Sequence, residues 1–174
     1  VWMAENLRTT KYKDGSSIPN VTDNSQWSAL TTGAWSIYNI NSQNDNTYGK
    51  LYNWHTVNTG KLCPIGWHVP TDAEWTVLTD YLAANGHSGT EGKALKSTTG
   101  WNSNGNGTDN YGWNGLPGGF RNGLGGFDKI EKSGNWWSSS ININKNPYIC
   151  NLVYNSSYLF VRVGYKAGYS VRCI

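Results

Sequence analysis

The stretch CPIGWHVPTDAEWTVLTDYLAANG, residues 63–86, carries the most explicit folding instructions in the chain. Thr71 and Glu74 have capping-box spacing: the hydroxyl accepts from the backbone amide three residues on, and the carboxylate reaches back to the amide of the cap. Trp75, Leu78 and Leu82 then recur on one helical face, with Val77 and Tyr81 widening it, and Asn85-Gly86 supplies a stop. The spacing predicts a helix from about Asp72 to Ala84.

On the N-terminal side, TYGKLYNWHTVNTGK (residues 47–61) places Leu51, Trp54 and Val57 at helical spacing before Gly60, which predicts a second helix. On the C-terminal side, TEGKALKS (90–97) suits a short third one. GWNSNGNGTDNYGWNGLPGG (100–119) is too polar and glycine-rich for a regular element. GGFRNG, GNWWSSS, YICNLVY, YLFVRV and YSVRCI then read as short antiparallel strands separated by turns. Helices first and a β-rich half after them indicate an α+β domain rather than alternating βαβ units.

A length of 174 residues suits one domain, residues 1–174. Charged residues make up 14%, and fourteen Lys and Arg are dispersed among eleven Asp and Glu, a net charge of +3. That balance excludes nucleic acid as the expected partner. Ten Trp, eleven Tyr and twenty-one Gly stand against three Phe and one Met, so the core must rest on rings whose N–H and O–H groups need partners. Tyr, Ser, Gly and Asn are also the residues of adaptable binding loops. No apolar run approaches a membrane span and no signal peptide is visible, so the chain is expected to be part of a longer precursor, with membrane attachment only through an anchor elsewhere in it.

Candidate chemistry is sparse. Cys63, Cys150 and Cys173 allow at most one internal disulfide, and no C-x-x-C is present. His55, His68 and His87 form no HExxH pattern, and His68 is expected to pack as a structural residue. Asp72 and Glu74 are accounted for by capping and the helix dipole, while Asp109, Asp128 and Glu131 have no nucleophile nearby in sequence and read as solvated. The loop Asn102–Asn110 alternates oxygen-bearing residues around glycines but lacks early acidic positions, and Trp113 stands where a calcium loop has its bidentate glutamate. The expectation is no cofactor, with a structural calcium there as the alternative. Sequons at Asn20, Asn106 and Asn155 imply surface exposure.

Six blocks in order, WMAENLRTTKYKDG, YGKLYNWHTVN, CPIGWHVPTDAEWTVL, LPGGFRNG, GNWWSSS and GYSVRC, resemble the Fibrobacter succinogenes major paralogous domain, a family of bacterial surface modules. That family is similar in turn to the formylglycine-generating-enzyme and sulfatase-modifying-factor group, through WHVPTDAEW, GGFR and the closing Gly168–Arg172 segment. The resemblance implies a C-type-lectin-like fold, two main helices packed on short twisted antiparallel strands, and an extracellular or cell-surface location. It also implies that Gly66–Val69 lies beside Tyr169–Cys173, which brings Cys63 and Cys173 within reach of a disulfide, two buried thiols being the alternative. The calcium-linked sugar motifs of true C-type lectins, Glu-Pro-Asn and Trp-Asn-Asp, are absent.

The C-terminal region 134–174 divides into firm ends and a loose middle. Residues 141–168 contain no Asp, Glu, Gln, Met or Trp. Apart from Lys145 and Lys166, every residue there is reachable by replacing adenines in an Asn codon, the signature that diversity-generating retroelements write into their targets. Chance in an Asn- and Tyr-rich strand region is the competing explanation. With Trp136, Trp137 and GYSVRC as fixed frame, one strand face (Tyr148, Leu152, Tyr154, Val161) is expected in the core. The other would be a ligand-binding surface: Ile141, Asn142, Ile143, Asn144, Asn146, Asn151, Val153, Tyr158, Phe160, Arg162 and Tyr165. Cys150 is grouped with the diversified residues. The expected function is a binding module, not an enzyme, directed at a protein or glycan ligand. The alternatives are a glycan-binding or adhesin domain stacking sugars on Trp101 and Trp113, and a formylglycine-generating-type oxidase with a reactive thiol and copper.

Overall fold

The computed structural model describes the whole chain, Val1–Ile174. Its helices are α1 (Asn24–Ser28), α2 (Ser42–Tyr48), α3 (Trp54–Val57), α4 (Asp72–Leu82) and α5 (Glu91–Leu95). Its strands are β1 (Trp35–Ser36), β2 (Leu51–Asn53), β3 (Gly118–Arg121), β4 (Phe127–Ile130), β5 (Ser133–Ile141), β6 (Pro147–Val153), β7 (Phe160–Val163) and β8 (Gly168–Tyr169). The class is α+β, with antiparallel sheets ordered β1-β2-β8-β3-β4 and β5-β6-β7. Ser170 stitches them together, its carbonyl accepting from the Trp137 amide at 3.1 Å and its amide donating to the Asn135 carbonyl at 3.1 Å.

The capping box of α4 forms as the spacing requires, with Thr71 Oγ1 accepting from the Glu74 amide at 3.2 Å and Glu74 Oε2 accepting from the Thr71 amide at 2.7 Å. The helix passes into a wider turn at Ala83–His87, where Gly86 takes φ +89°. Trp75 and Leu82 are fully buried, whereas Val77 and Tyr81 are exposed and do not widen the apolar face. The second predicted helix is corrected more deeply. Leu51 lies in β2, and only Trp54–Val57 is helical, a single turn capped by Asn53. The coincidence of spacing spans a strand–helix junction, so one long helix, not two, packs on the strands.

The chain ends meet. Met3 donates to the Cys173 carbonyl at 3.0 Å and Leu7 to the Val171 carbonyl at 2.8 Å, while His68 and Ile174 exchange both backbone bonds at 3.0 Å. The pairing predicted for Gly66–Val69 is thus made at His68, one residue beyond Cys173. Cys63 and Cys173 are joined in a disulfide, with Cα atoms 6.1 Å apart.

Two aromatic cores result. One contains Tyr52, Trp137, Ile149, Tyr169 and Val171 beside the disulfide; the other packs α4 and α5 against Trp101, Trp113, Trp136, Cys150 and Leu152. Two arginines are fully buried without a carboxylate partner. Arg121 donates to the carbonyls of Gly125, Val21, Thr22 and Asp23. Arg172 donates to the Trp113 carbonyl and to Asn6 Oδ1, and its guanidinium lies 3.9 Å from the Trp113 ring centroid. Carbonyl dipoles and ring faces replace the lost hydration of each cation, though desolvation still lowers the Arg172 pKa to about 9.

Candidate ligand-binding site

The three-stranded sheet and the β3–β8 part of the larger sheet border an open cavity of about 590 Å³. A second, of about 310 Å³, lies on the other side of the segment following β7. Val163, Tyr165, Lys166 and Ala167 line both, so one short stretch forms the partition between them. The smaller cavity is walled by Trp27, Trp54, Leu30 and Pro147, with His55 and Asn146 at its edge.

The floor of the larger cavity is polar and built from paired amides. Asn135 and Asn151 face each other across β5 and β6 and are each 6% exposed. Asn151 Nδ2 donates to Asn135 Oδ1 at 2.8 Å, and Asn135 Nδ2 donates to Ser133 Oγ at 3.0 Å and the Gly119 carbonyl at 3.2 Å. Asn151 belongs to the cavity lining, and no protein donor reaches its Oδ1. Phe120, Ile149 and Tyr169 supply apolar wall. Burial raises the Tyr169 hydroxyl pKa to about 12, so it remains a neutral donor at physiological pH.

The predicted contact residues fall into three places. Asn151, Val153, Arg162 and Tyr165 line the larger cavity, and Asn146 and Tyr165 the smaller. Ile141, Asn142, Ile143 and Asn144 form the tip of the β5–β6 hairpin, where Asn142 Oδ1 accepts from the amides of Asn144 and Asn146 at 2.9 and 3.0 Å. Tyr158 and Phe160 lie at the far end of β7, their centroids 6.0 Å apart, with the Arg162 guanidinium 4.8 Å above Phe160.

The face assignment needs correction. β6 is the central strand of its sheet and is covered on both sides, so Ile149, Cys150, Asn151 and Leu152 are all buried. Asn151 is therefore a floor residue, not an outward contact, and Cys150 is a core thiol. Val161, on the edge strand, is exposed rather than packed, and Tyr148 and Tyr154 are half-buried. Trp101 and Trp113 are 5% and 4% exposed in the helical core, which removes them as stacking platforms for a sugar.

The loop from Tyr154 to Tyr158 has a fixed path despite its polar sequence. A Cβ on Gly92 would come within 2.3 Å of the Tyr158 carbonyl oxygen, and one on Gly105 within 2.3 Å of that of Tyr154, so both glycines permit backbone-to-backbone contact. Buried Lys96 donates to the Ser156 carbonyl at 2.6 Å, and the Lys93 amide to the Ser157 carbonyl at 3.0 Å. The framework holds this loop by its backbone and leaves the Tyr158 side chain exposed.

The sequence reading missed Lys129, Lys132, Asn135 and Lys166 in the larger cavity and Trp27 and Trp54 in the smaller. They come from distant segments, and no local motif announces them. The reactive candidates disperse instead. His68 is exposed and pairs with Glu74 at 2.8 Å rather than packing inside. His87 meets Tyr111 edge-on with ring centroids 5.6 Å apart, and Cys150 is fully buried, its pKa pushed up by desolvation. In the Asn102–Asn110 loop, Asn106 Oδ1 accepts the Trp101 amide at 3.0 Å and Asp109 Oδ1 the Asn114 amide at 2.6 Å. Those oxygens hold the loop to itself.

No curated protein and no solved structure matches the chain. The model of the Fibrobacter succinogenes major domain matches residues 1–174, and the chain belongs to that family.

Proposed function

We propose that this domain is a ligand-binding module of C-type-lectin-like architecture, displayed outside the cell, whose contact surface is the β5–β6 hairpin tip, β7 and the Val163–Ala167 partition. One observation carries the reading. Five of the twelve large apolar side chains exposed anywhere in the chain, Ile141, Ile143, Tyr158, Val161 and Tyr165, come from this one stretch. Exposed aromatic and aliphatic side chains on a backbone held by its neighbours are the composition of a contact surface. The meeting of the chain ends and the single long helix on antiparallel strands support the architecture. The buried thiol and the dispersed histidines favour binding over oxidase chemistry, because a nucleophilic cysteine needs exposure and a lowered pKa.

Retroelement diversification fits the exposed positions alone. Ile149–Leu152 is a run of buried residues, and arbitrary side chains there would disrupt two cores. The variable positions are then Ile141–Asn144 and Asn146, the outer residues of β7, and Tyr158 and Tyr165.

The test is binding of the isolated domain to bacterial cell surfaces and to immobilised glycans, compared with an Ile143→Ala/Tyr158→Ala/Tyr165→Ala variant. All three residues are more than half exposed, so the variant should fold. Retention falling at least tenfold is the expected result; unchanged retention would move the contact surface elsewhere. A near-copy of the coding segment differing only at adenines would establish diversification separately.

A further inference from the structure

We infer that the larger cavity is a subsite for an anionic saccharide, a sugar chain carrying carboxylate or sulfate groups; this rests on the binding-module reading and names the ligand class for it. The first observation is charge. Lys129, Lys132 and Arg162 line this cavity and no Asp or Glu does; Lys166 lines it as well, but its ammonium donates to the Ser28 carbonyl and the residue also lines the smaller cavity. The chain has fourteen Lys and Arg and eleven Asp and Glu in all, so three cations with no acid at one cavity is a local excess its near-neutral balance does not predict. Asp128 and Glu131 are close in sequence, but neither belongs to the lining, and Asp128 accepts from Asn122 Nδ2 at 2.8 Å. None of Lys129, Lys132 and Arg162 is in an ion pair.

The second observation is the floor. Asn151 lines the cavity, and no protein donor reaches its Oδ1. An amide oxygen that keeps access to solvent and accepts nothing from the protein is open to a donor brought by a ligand. Ser133 Oγ accepts from Asn135 Nδ2 and retains its own hydroxyl hydrogen to donate. A ligand for this floor therefore brings both donors and acceptors, as hydroxyl groups do, while the cations above it call for negative charge. The ring of Tyr169 and the side chains of Phe120 and Ile149 offer apolar surface to the C–H faces of a sugar. A volume of about 590 Å³ lies within the usual range of small-molecule sites.

Arg162 joins this cavity to the β7 ridge, since the same side chain that lines it lies over Phe160. A chain too long for the cavity would continue along that ridge toward Tyr158.

The test is calorimetric titration of the whole domain with tetragalacturonic acid, a chondroitin sulfate tetrasaccharide, maltotetraose and inorganic sulfate. Either or both charged saccharides should bind, and which one does separates the carboxylate from the sulfate source. Maltotetraose and inorganic sulfate alone should be at least tenfold weaker. Replacing exposed Lys132 and Arg162 together (Lys132→Gln/Arg162→Gln) should weaken the charged ligand about tenfold or more, because two charge-assisted contacts are lost. Lys132→Arg and the distant Lys61→Gln should leave it unchanged. Equal affinity for maltotetraose, equal affinity for inorganic sulfate, or indifference to the double variant would each overturn the inference. If none of the four probes binds while the Ile143/Tyr158/Tyr165 variant still loses cell-surface retention, this inference falls and the binding-module reading stands.

Discussion

Trp136 and Trp137 are consecutive in β5, yet their indoles lie in different cores. Trp136 Nε1 donates to Asn6 Oδ1 at 2.8 Å and its ring meets Trp113 edge-on at 4.9 Å. Trp137 Nε1 donates to the Tyr52 carbonyl at 2.7 Å, and its ring packs on Tyr169 at 4.7 Å. Strand alternation turns one pair of residues into a wall shared by the helical core and the inter-sheet core. Trp136→Phe and Trp137→Phe should each cost about 2–4 kcal/mol, from lost indole packing and a lost buried hydrogen bond, although Asn6 Oδ1 keeps Arg172 as a donor in the first case. Because the rings share no core, the double variant should be additive within about 0.5 kcal/mol in urea unfolding. A coupling well above that would mean the two cores melt as one.

The Cys63–Cys173 disulfide joins residues 110 apart in sequence and ties the approach to α4 to the end of the chain. A closure of that length restricts the unfolded ensemble strongly, and losing it should cost about 2–5 kcal/mol. Cys63→Ala/Cys173→Ala should lower the urea midpoint by that measure, and dithiothreitol should do the same to the wild type but nothing further to the variant.

Lys96 gives the protein an unusual alkaline response. Its ammonium is buried against Trp101 and bound by the Ser156 carbonyl, and desolvation lowers its pKa to about 8. An unfolded lysine titrates near the ordinary value of about 10.4, so between those values the unfolded state holds more protons than the folded one. Stability therefore rises with pH across that window, and the cost of burying the charge is fully present below it. Lys96→Met has no such group. The unfolding free energy of the wild type minus that of Lys96→Met should increase from about pH 8 to pH 10; a flat difference would mean the ammonium is better solvated than its burial indicates.

How much of this was legible beforehand depended on whether an instruction is local. Thr71, Glu74 and Gly86 act within a turn or two of themselves, and the start and stop of α4 follow from them. Leu51, Trp54 and Val57 carry the same periodic signal, but Asn53 caps a new helix between them, and three residues are too few to separate the cases. Strand faces were harder. Alternation identifies an inner face only when the other is solvated, and β6 is flanked by β5 and β7 and covered on both sides. That is why the outward face assigned to Asn151 and the variable position assigned to Cys150 do not match their burial, while Tyr165 and Arg162, on a loop and an edge strand, are exposed residues that line the cavities. The cations facing the cavity were beyond reach, since Lys129 and Lys132 meet Arg162 only through the folding of β4, β5 and β7.

Cys150 provides the sharpest test of which positions tolerate change. Its thiol is fully buried among Trp136, Leu152 and the helical core, and desolvation, with a smaller contribution from the Asp72 charge, pushes its pKa well up. Ellman's reagent at pH 8 should find no reactive thiol in the native protein and one after denaturation without reductant, since the other two cysteines are bridged. Cys150→Tyr adds a ring where there is no space, so it should cost at least 1–3 kcal/mol. Ile143→Tyr, at a position 98% exposed, should stay within about 0.5 kcal/mol of wild type. If the gene is diversified at adenines, the template copy must then lack them in the codon for residue 150 and carry them in that for residue 143. Cys150→Tyr proving as stable as wild type would show that the core accommodates random side chains and would return the whole of 141–168 to the variable set.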